Sequence, residues 1–195
     1  MPREYTPQEA AVLAGANLGA VQKAITNRVV DARVEDGRRL LKVDSVYAIA
    51  IAASAPPNWK ISYAILKDVV RSVLTHPDKD HVPLDQWGVW TLNAGKVLRD
   101  VVPRMRLYER AREELIERNP EILGGTPVIR GTRLNVYAIV GRIEHGETID
   151  ELLREYPSIT REQLEAAQLY AKANPLRGRP RGRPWEKRKK KSRGS

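Results

Sequence analysis

The sequence predicts a mostly α-helical protein: an N-terminal winged helix-turn-helix, a helical middle with one short strand, a C-terminal tri-helical domain of helix-turn-helix type, and a disordered basic tail. Three observations predict it. Apolar residues recur at helical spacing through most of the chain. Thr, Asn or Asp precede these runs as helix caps, three times with Glu or Gln three residues on. Ten cations against one anion crowd the segment from Leu176 to Ser195, so the rest of the chain is almost neutral.

The first part covers residues 1–57. Thr6 and Glu9 form a capping box for a helix whose apolar face is Ala10, Ala11, Leu13 and Ala14. Gly15-Ala16-Asn17 makes a turn, with Asn17 as the cap of a second helix that turns Leu18, Val21 and Ile25 inward. Gln22, Lys23, Thr26, Asn27 and Arg28 are left on its outer face, beside small Gly19 and Ala20. Val29–Val34 and Arg38–Val43 alternate around Glu35-Asp36-Gly37, a hairpin that would place Arg38 and Arg39 on a wing. Asp44 then caps a helix with Val46, Ile49 and Ile51, and Pro56-Pro57 ends it. Gln and Asn side chains pair bidentately with adenine, and Arg and Lys with guanine or phosphate, so this face suits DNA. A polar face turned to water, or a protein-interaction face, is the plainer alternative.

Residues 58–118 read as a helical linker and dimer platform. Ile61, Ile65, Val69 and Val73, with Leu66 and Val70, give one helix; His76–Asp85 is a polar loop; Trp87–Leu92 is a strand candidate. Asn93 caps a helix with Val97, Leu98, Val101 and Val102. Pro103 starts or kinks another, where Leu107, Tyr108, Ala111, Leu115 and Ile116 form the stripe. Glu109, Arg112, Glu113, Glu117 and Arg118 fall on its solvated side. The paired tryptophans fit either a homodimer surface or the chain's own core.

Residues 119–175 carry the densest punctuation. Gly124-Gly125 makes a turn, and Val128-Ile129 pairs with Leu134–Val136 around Arg130-Gly131-Thr132-Arg133. Asn135 caps a helix that His145-Gly146 stops. Thr148 with Glu151, and Thr160 with Gln163, open two more helices. Gly124, Gly125, Gly131 and Arg133 are expected to be structural, with the Arg133 guanidinium held by a carboxylate or by helix C-terminal carbonyls.

The run from Asn119 to Arg133, followed by Gly146-Glu147-Thr148-Ile149 and Ser158-Ile159-Thr160, resembles the small helical bacterial family catalogued as domain of unknown function four-hundred-thirty-three. The resemblance implies an antitoxin of VapB type, partnered by a PIN-like ribonuclease toxin and repressing its own operon on operator DNA. The N-terminal helix-turn-helix also looks like that of the longer VapB-type members. A stand-alone DNA-binding regulator without a toxin is the second reading.

Composition removes other classes. Cysteine is absent, which rules out a disulfide framework or thiolate metal site and fits the expected cytoplasmic location. No apolar run is long enough for a membrane span. His76, Asp78, Asp80 and His81 have metal-ligand types, but the loop His76–Asp85 holds two prolines, and with Lys79 at the centre of the cluster it makes a poor site. No catalytic constellation, metal, cofactor or small-molecule substrate is expected. In the tail (176–195), Arg177-Gly178-Arg179-Pro180 repeats as Arg181-Gly182-Arg183-Pro184 and resembles an AT-hook, ahead of Lys187–Lys191. Narrow A·T minor grooves concentrate negative potential, which suits Arg177, Arg179, Arg181 and Arg183. Entry into a carboxylate-lined toxin site, or simple solubilisation, are the other readings.

Overall fold

The computed structural model describes residues 3–54, 62–76, 81–83 and 91–176. The tail arginines, Ile61, Trp87, Trp90 and most of the His76–Asp85 loop lie outside the described residues, as does the side chain of Val73.

The protein is mostly helical with small sheets. Strand β1 (Glu4–Tyr5) leads into α1 (Pro7–Ala14), opened by the Thr6–Glu9 capping box and closed by left-handed Gly15. Helix α2 (Leu18–Thr26) starts from Asn17, whose Oδ1 accepts the Ala20 N–H at 2.8 Å. Strands β2 (Ala32–Glu35) and β3 (Arg38–Lys42) pair antiparallel across Asp36-Gly37. Both turn residues have positive φ (48° and 72°), the geometry whose twist matches a two-residue hairpin. β1 adds to the far side of β3 as a third strand, which alternation over two residues could not reveal. Helix α3 (Val43–Ser54) starts two residues earlier than the Asp44 cap predicts; Asp44 lies in its first turn. Val46, Ile49 and Ile51 are buried as expected. Leu18, by contrast, is 36% exposed and does not pack on the core, because it sits at the first position of α2.

Helix α4 (Tyr63–Thr75) follows a Ser62 cap. His81–Pro83 (β4), expected as loop, pairs antiparallel with Thr91–Asn93 (β5). Asn93 caps α5 (Ala94–Arg110), a single helix that runs through Pro103 instead of restarting there. It continues into a π-turn, Ala111–Leu115, and then into β6 (Ile116–Glu117). β6 pairs with β7 (Val128–Ile129), so the segment expected to remain helical to Arg118 instead supplies a strand. Val128 also bridges Asn135 on its other side, the pairing predicted from the sequence. A single 3₁₀ turn, Leu123–Gly125, carries positive φ at all three residues. Helices α6 (Val136–Glu144), α7 (Ile149–Glu155) and α8 (Arg161–Ala173) follow, with the Asn135, Thr148–Glu151 and Thr160–Gln163 caps in place.

The middle region is not a spacer. Helix α5 packs against α1, α3 and α8, and α1 packs directly on α8. One apolar cluster therefore runs from Tyr5 and Leu13 through Met105 and Tyr108 to Val140 and Ala173. A second, smaller cluster (Ile129, Ile139, Leu152, Ile159, Leu164) belongs to the C-terminal helices alone.

Polar contacts cross the same seam. Tyr5 donates its hydroxyl to Glu109, and Tyr108 donates to Glu9, so neighbouring residues of α5 make reciprocal Tyr–Glu bonds with β1 and α1. Glu109, expected on the solvated side, is only 8% exposed and also pairs with Arg3. A buried carboxylate needs such partners, since desolvation would otherwise cost several kcal/mol, about 1–3 for even a neutral group. Burial, reinforced by the adjacent carboxylates, pushes both phenols well above the ordinary tyrosine range. Arg104 donates to the Leu13 carbonyl at 2.9 Å, satisfying the C-terminal end of α1.

Within the C-terminal helices Arg142, and not Arg133, ties α6 to α7, and Arg161 pairs with Asp150 to tie α8 to α7. The Arg142 guanidinium bonds Glu147, Glu155 and the Tyr156 hydroxyl, joining α6 to the loop before α7 and to the end of α7. Hydrogen bonds from Arg142 draw the Glu155 carboxyl down to about 2. A depressed pKa stabilises the fold above the unfolded carboxylate range, near 4.3, and that contribution fades as pH falls toward about 2. Arg142→Ala should lower the melting temperature at neutral pH. It should also lose less further stability than wild type between about pH 4.3 and pH 2, as thermal melts across that window will show.

Candidate nucleic-acid interface

The second helix and the hairpin arise from local chemistry. Gly19 sits where an added Cβ would approach the Asn17 Oδ1 cap at 3.3 Å, so its smallness keeps the cap seated as well as leaving the surface low. Val21 is fully buried and fixes the rotation of α2. That rotation exposes Gln22, Lys23 and Thr26 along one side. The helix ends at Thr26, with Asn27 as its C-cap and Arg28 in the left-handed region at φ 55°. Asn27 and Arg28 therefore project beyond the helix end, whereas the sequence spacing puts them on its continuous face. The left-handed step turns the chain so that Val30 re-enters the core.

Arg38 and Arg39 follow the turn on β3, opposite Glu35 and Val34, and both are exposed. None of Gln22, Lys23, Thr26, Asn27, Arg28, Arg38 and Arg39 has a side-chain hydrogen bond or ion pair among the described residues. Arg33 differs: it is tied to Glu4 at 2.8 Å and to Glu35 at 2.9 Å and serves the sheet. From Leu18 to Lys42 the chain holds six cations and three anions. Two of those anions, Glu35 and Asp36, stand at the hairpin tip. The result is a stretch of donors, acceptors and positive charge whose bonding capacity the fold leaves unused.

The C-terminal positions separate differently. Gly124, Gly125 and Gly131 take positive φ (63°, 81° and 77°), which is the structural role expected of them. Arg133 does not take its expected role. It is exposed, and neither a carboxylate nor a helix-end carbonyl holds it among the described residues. The turn is closed instead by Thr132, whose hydroxyl donates to the Ile129 carbonyl at 2.7 Å and accepts the Leu134 N–H at 3.1 Å. Arg130 supplies a cross-link, donating to the Glu113 carbonyl at 3.1 Å.

Other chemistry is sparse. No group of three or more metal-ligating residues occurs among the described residues, and Asp78 to Asp80 lie outside them. No described helix is long and apolar enough to cross a membrane. A cleft of about 750 Å³ lies between the hairpin base and α3–α4, lined by Val30, Ala32, Leu40, Ser45, Ala48 and Val70.

Residues 116–171 match the family described as Protein of unknown function (DUF433). The chain is similar to the uncharacterized protein y4eO of Sinorhizobium fredii (strain NBRC 101917 / NGR234), 34% identical over 153 residues, which is 75% of this chain and 61% of that protein. It thus spans about three-fifths of the length of this curated relative. It is also similar to a crystal structure of a DUF433 member protein from Anabaena variabilis ATCC 29413, at 35% identity and a TM-score of 0.32, over 38% of this chain and 74% of that one.

Proposed function

We propose that this chain is a non-enzymatic, DNA-binding antitoxin of VapB type that represses its own operon and inhibits a PIN-like ribonuclease toxin. Residues 1–57 act as a winged helix-turn-helix: α2 enters the major groove and the β2–β3 hairpin is the wing, with a homodimer reading two half-sites. The observation that carries the DNA reading is the absence of partners, among the described residues, for Gln22, Lys23, Thr26, Asn27, Arg28, Arg38 and Arg39, while Arg33 between them is paired. The toxin reading rests on the resemblance of the Asn119–Arg133 run and the segments after it.

The test has two arms. Co-expression with the adjacent gene should give a complex that co-purifies and in which ribonuclease activity is suppressed. The purified chain should retard a duplex spanning its own promoter region. Arg38→Ala with Arg39→Ala should flatten the log–log salt dependence by about 0.9 for each phosphate no longer neutralised. DNA binding without a co-purifying toxin assigns the chain as a stand-alone regulator. Toxin capture without DNA binding removes the repressor role.

A further inference from the structure

The register of the three-stranded sheet sorts its side chains into two rows of different chemistry. Tyr5 on β1 and Ala32 on β2 flank Leu41 on β3. Tyr5 and Leu41 are fully buried, so theirs is the inner row, packed on the body. Side chains alternate along a strand, which carries the inner row outward to Val34 and Arg39, facing each other across the ladder. The outer row holds Glu4, Arg33, Glu35, Arg38, Leu40 and Lys42.

The two rows offer solvent different groups. In the outer row Glu4 and Glu35 hold Arg33 at 2.8 and 2.9 Å, and Arg38 stands opposite Glu35. A phosphate brought to that face meets two carboxylates. The inner row has none. Val34 occupies a core-facing position, yet the hairpin overhangs the body there and leaves it 66% exposed, the most exposed large apolar residue among the described ones. Arg39 beside it is exposed and has no ion pair among the described residues. Glu35 and Arg38 close the two-residue turn, so Val34 and Arg39 form the next pair, which is not hydrogen-bonded. Such a pair brings its Cα atoms to about 4.5 Å, close enough for the arginine stem to lie along the valine methyls.

Sugar and phosphate alternate along a nucleic-acid strand, and this pair sets methyl groups next to a guanidinium. On the DNA reading above, we propose that the hairpin grips the duplex backbone through its inner row. Arg39 pairs with a phosphate and Val34 packs on the adjoining deoxyribose. The outer row keeps its carboxylates clear of the phosphates, and Arg38, opposite Glu35, makes the smaller share of the charge contact.

The test titrates the full-length chain and its Arg39→Ala, Arg39→Lys, Arg38→Ala, Val34→Ala and Lys42→Ala variants onto a promoter duplex and an unrelated duplex across a salt series. The Gln22→Ala/Asn27→Ala chain runs alongside, and each free chain is melted and sedimented. Arg39→Ala should flatten the log–log slope by about 0.9, more than Arg38→Ala does, and Arg39→Lys should restore it. Val34→Ala should weaken binding to both duplexes alike, by about fourfold for each methyl group taken from the contact, at an unchanged slope. Lys42→Ala should keep the wild-type slope. Val34 and Arg39 are exposed, so melting temperatures and sedimenting mass should hold. An Arg38→Ala slope flatter than that of Arg39→Ala, or wild-type affinity in Val34→Ala, overturns the inner-row contact. A smaller sedimenting species in Val34→Ala also overturns it and makes the valine a contact between copies. In each of these cases, loss of specific binding in the Gln22→Ala/Asn27→Ala chain leaves the DNA reading standing. If the wild-type chain binds neither duplex, that reading fails and the hairpin contact fails with it.

Discussion

Tyr108→Ala is expected to cost about 3–5 kcal/mol and to unfold the N-terminal unit and the C-terminal helices in a single transition. The side chain is fully buried in the apolar cluster that both parts share. Its ring lies 6.4 Å from that of Tyr5 and 6.3 Å from that of Tyr170, so it neighbours aromatics from both ends of the chain. Truncation leaves a cavity at that junction and takes one partner from each of two polar groups: the Glu9 carboxylate, which keeps the Thr6 N–H, and the Asn174 amide, which keeps the Tyr170 carbonyl. Tyr108→Phe separates the two effects: it keeps the ring and removes only the hydroxyl, at about 0.5–1.5 kcal/mol for each hydrogen bond lost. Denaturant melts followed by circular dichroism and by fluorescence should coincide in both variants. Two resolved transitions in wild type, with only one moved by Tyr108→Ala, would show that the two parts fold independently.

The contrast between local and distant signals explains how much the sequence disclosed. Caps are local, so the Thr6–Glu9, Thr148–Glu151 and Thr160–Gln163 boxes and the Asn17, Asn93 and Asn135 caps are legible from short spacings, and all are present. The Asp36-Gly37 hairpin is local in the same way. Strands of two or three residues carry no periodicity, so β1, β4 and β6 are visible only once the fold brings their partners beside them. The reciprocal Tyr5–Glu109 and Tyr108–Glu9 bonds join residues about a hundred positions apart, and an acidic residue on a helical stripe reads as solvated when its partner cannot be seen.

The arginines of the candidate site obey the same rule. Arg33, like Arg38 and Arg39, lies on the hairpin strands, and nothing local in the sequence tells a paired arginine from an unpaired one. The fold divides them, because Glu4 on β1 reaches Arg33 and leaves the other two without acidic partners among the described residues. Arg142 takes the carboxylate-paired role expected of Arg133 for a similar reason. The carboxylates that an arginine needs come from the loop before α7 and from its last turn, and these face α6. What remains outside reach of spacing is the partner, since no pattern in Asn119–Arg133 encodes the chemistry of a toxin.

The α2 face yields the sharpest functional prediction. Gln22→Ala with Asn27→Ala should lower affinity for the promoter duplex by about 1–3 kcal/mol for each bidentate base pairing removed, or about 5- to 150-fold apiece at fixed salt. Both residues are exposed and free of side-chain partners among the described residues, so the fold should tolerate their removal and the melting temperature should hold. Neither is charged, and that gives the experiment a second readout. Removing base hydrogen bonds lowers affinity without releasing fewer counterions, so the salt slope should stay at its wild-type value while the preference over unrelated sequence falls. Arg38→Ala/Arg39→Ala should do the reverse, flattening the slope with little change in sequence preference. A double Gln22/Asn27 variant with wild-type affinity and preference would show that α2 does not read bases. A variant that weakened binding to the promoter and to unrelated sequence alike would place these residues near phosphates instead of base edges, leaving the hairpin as the element that reads sequence.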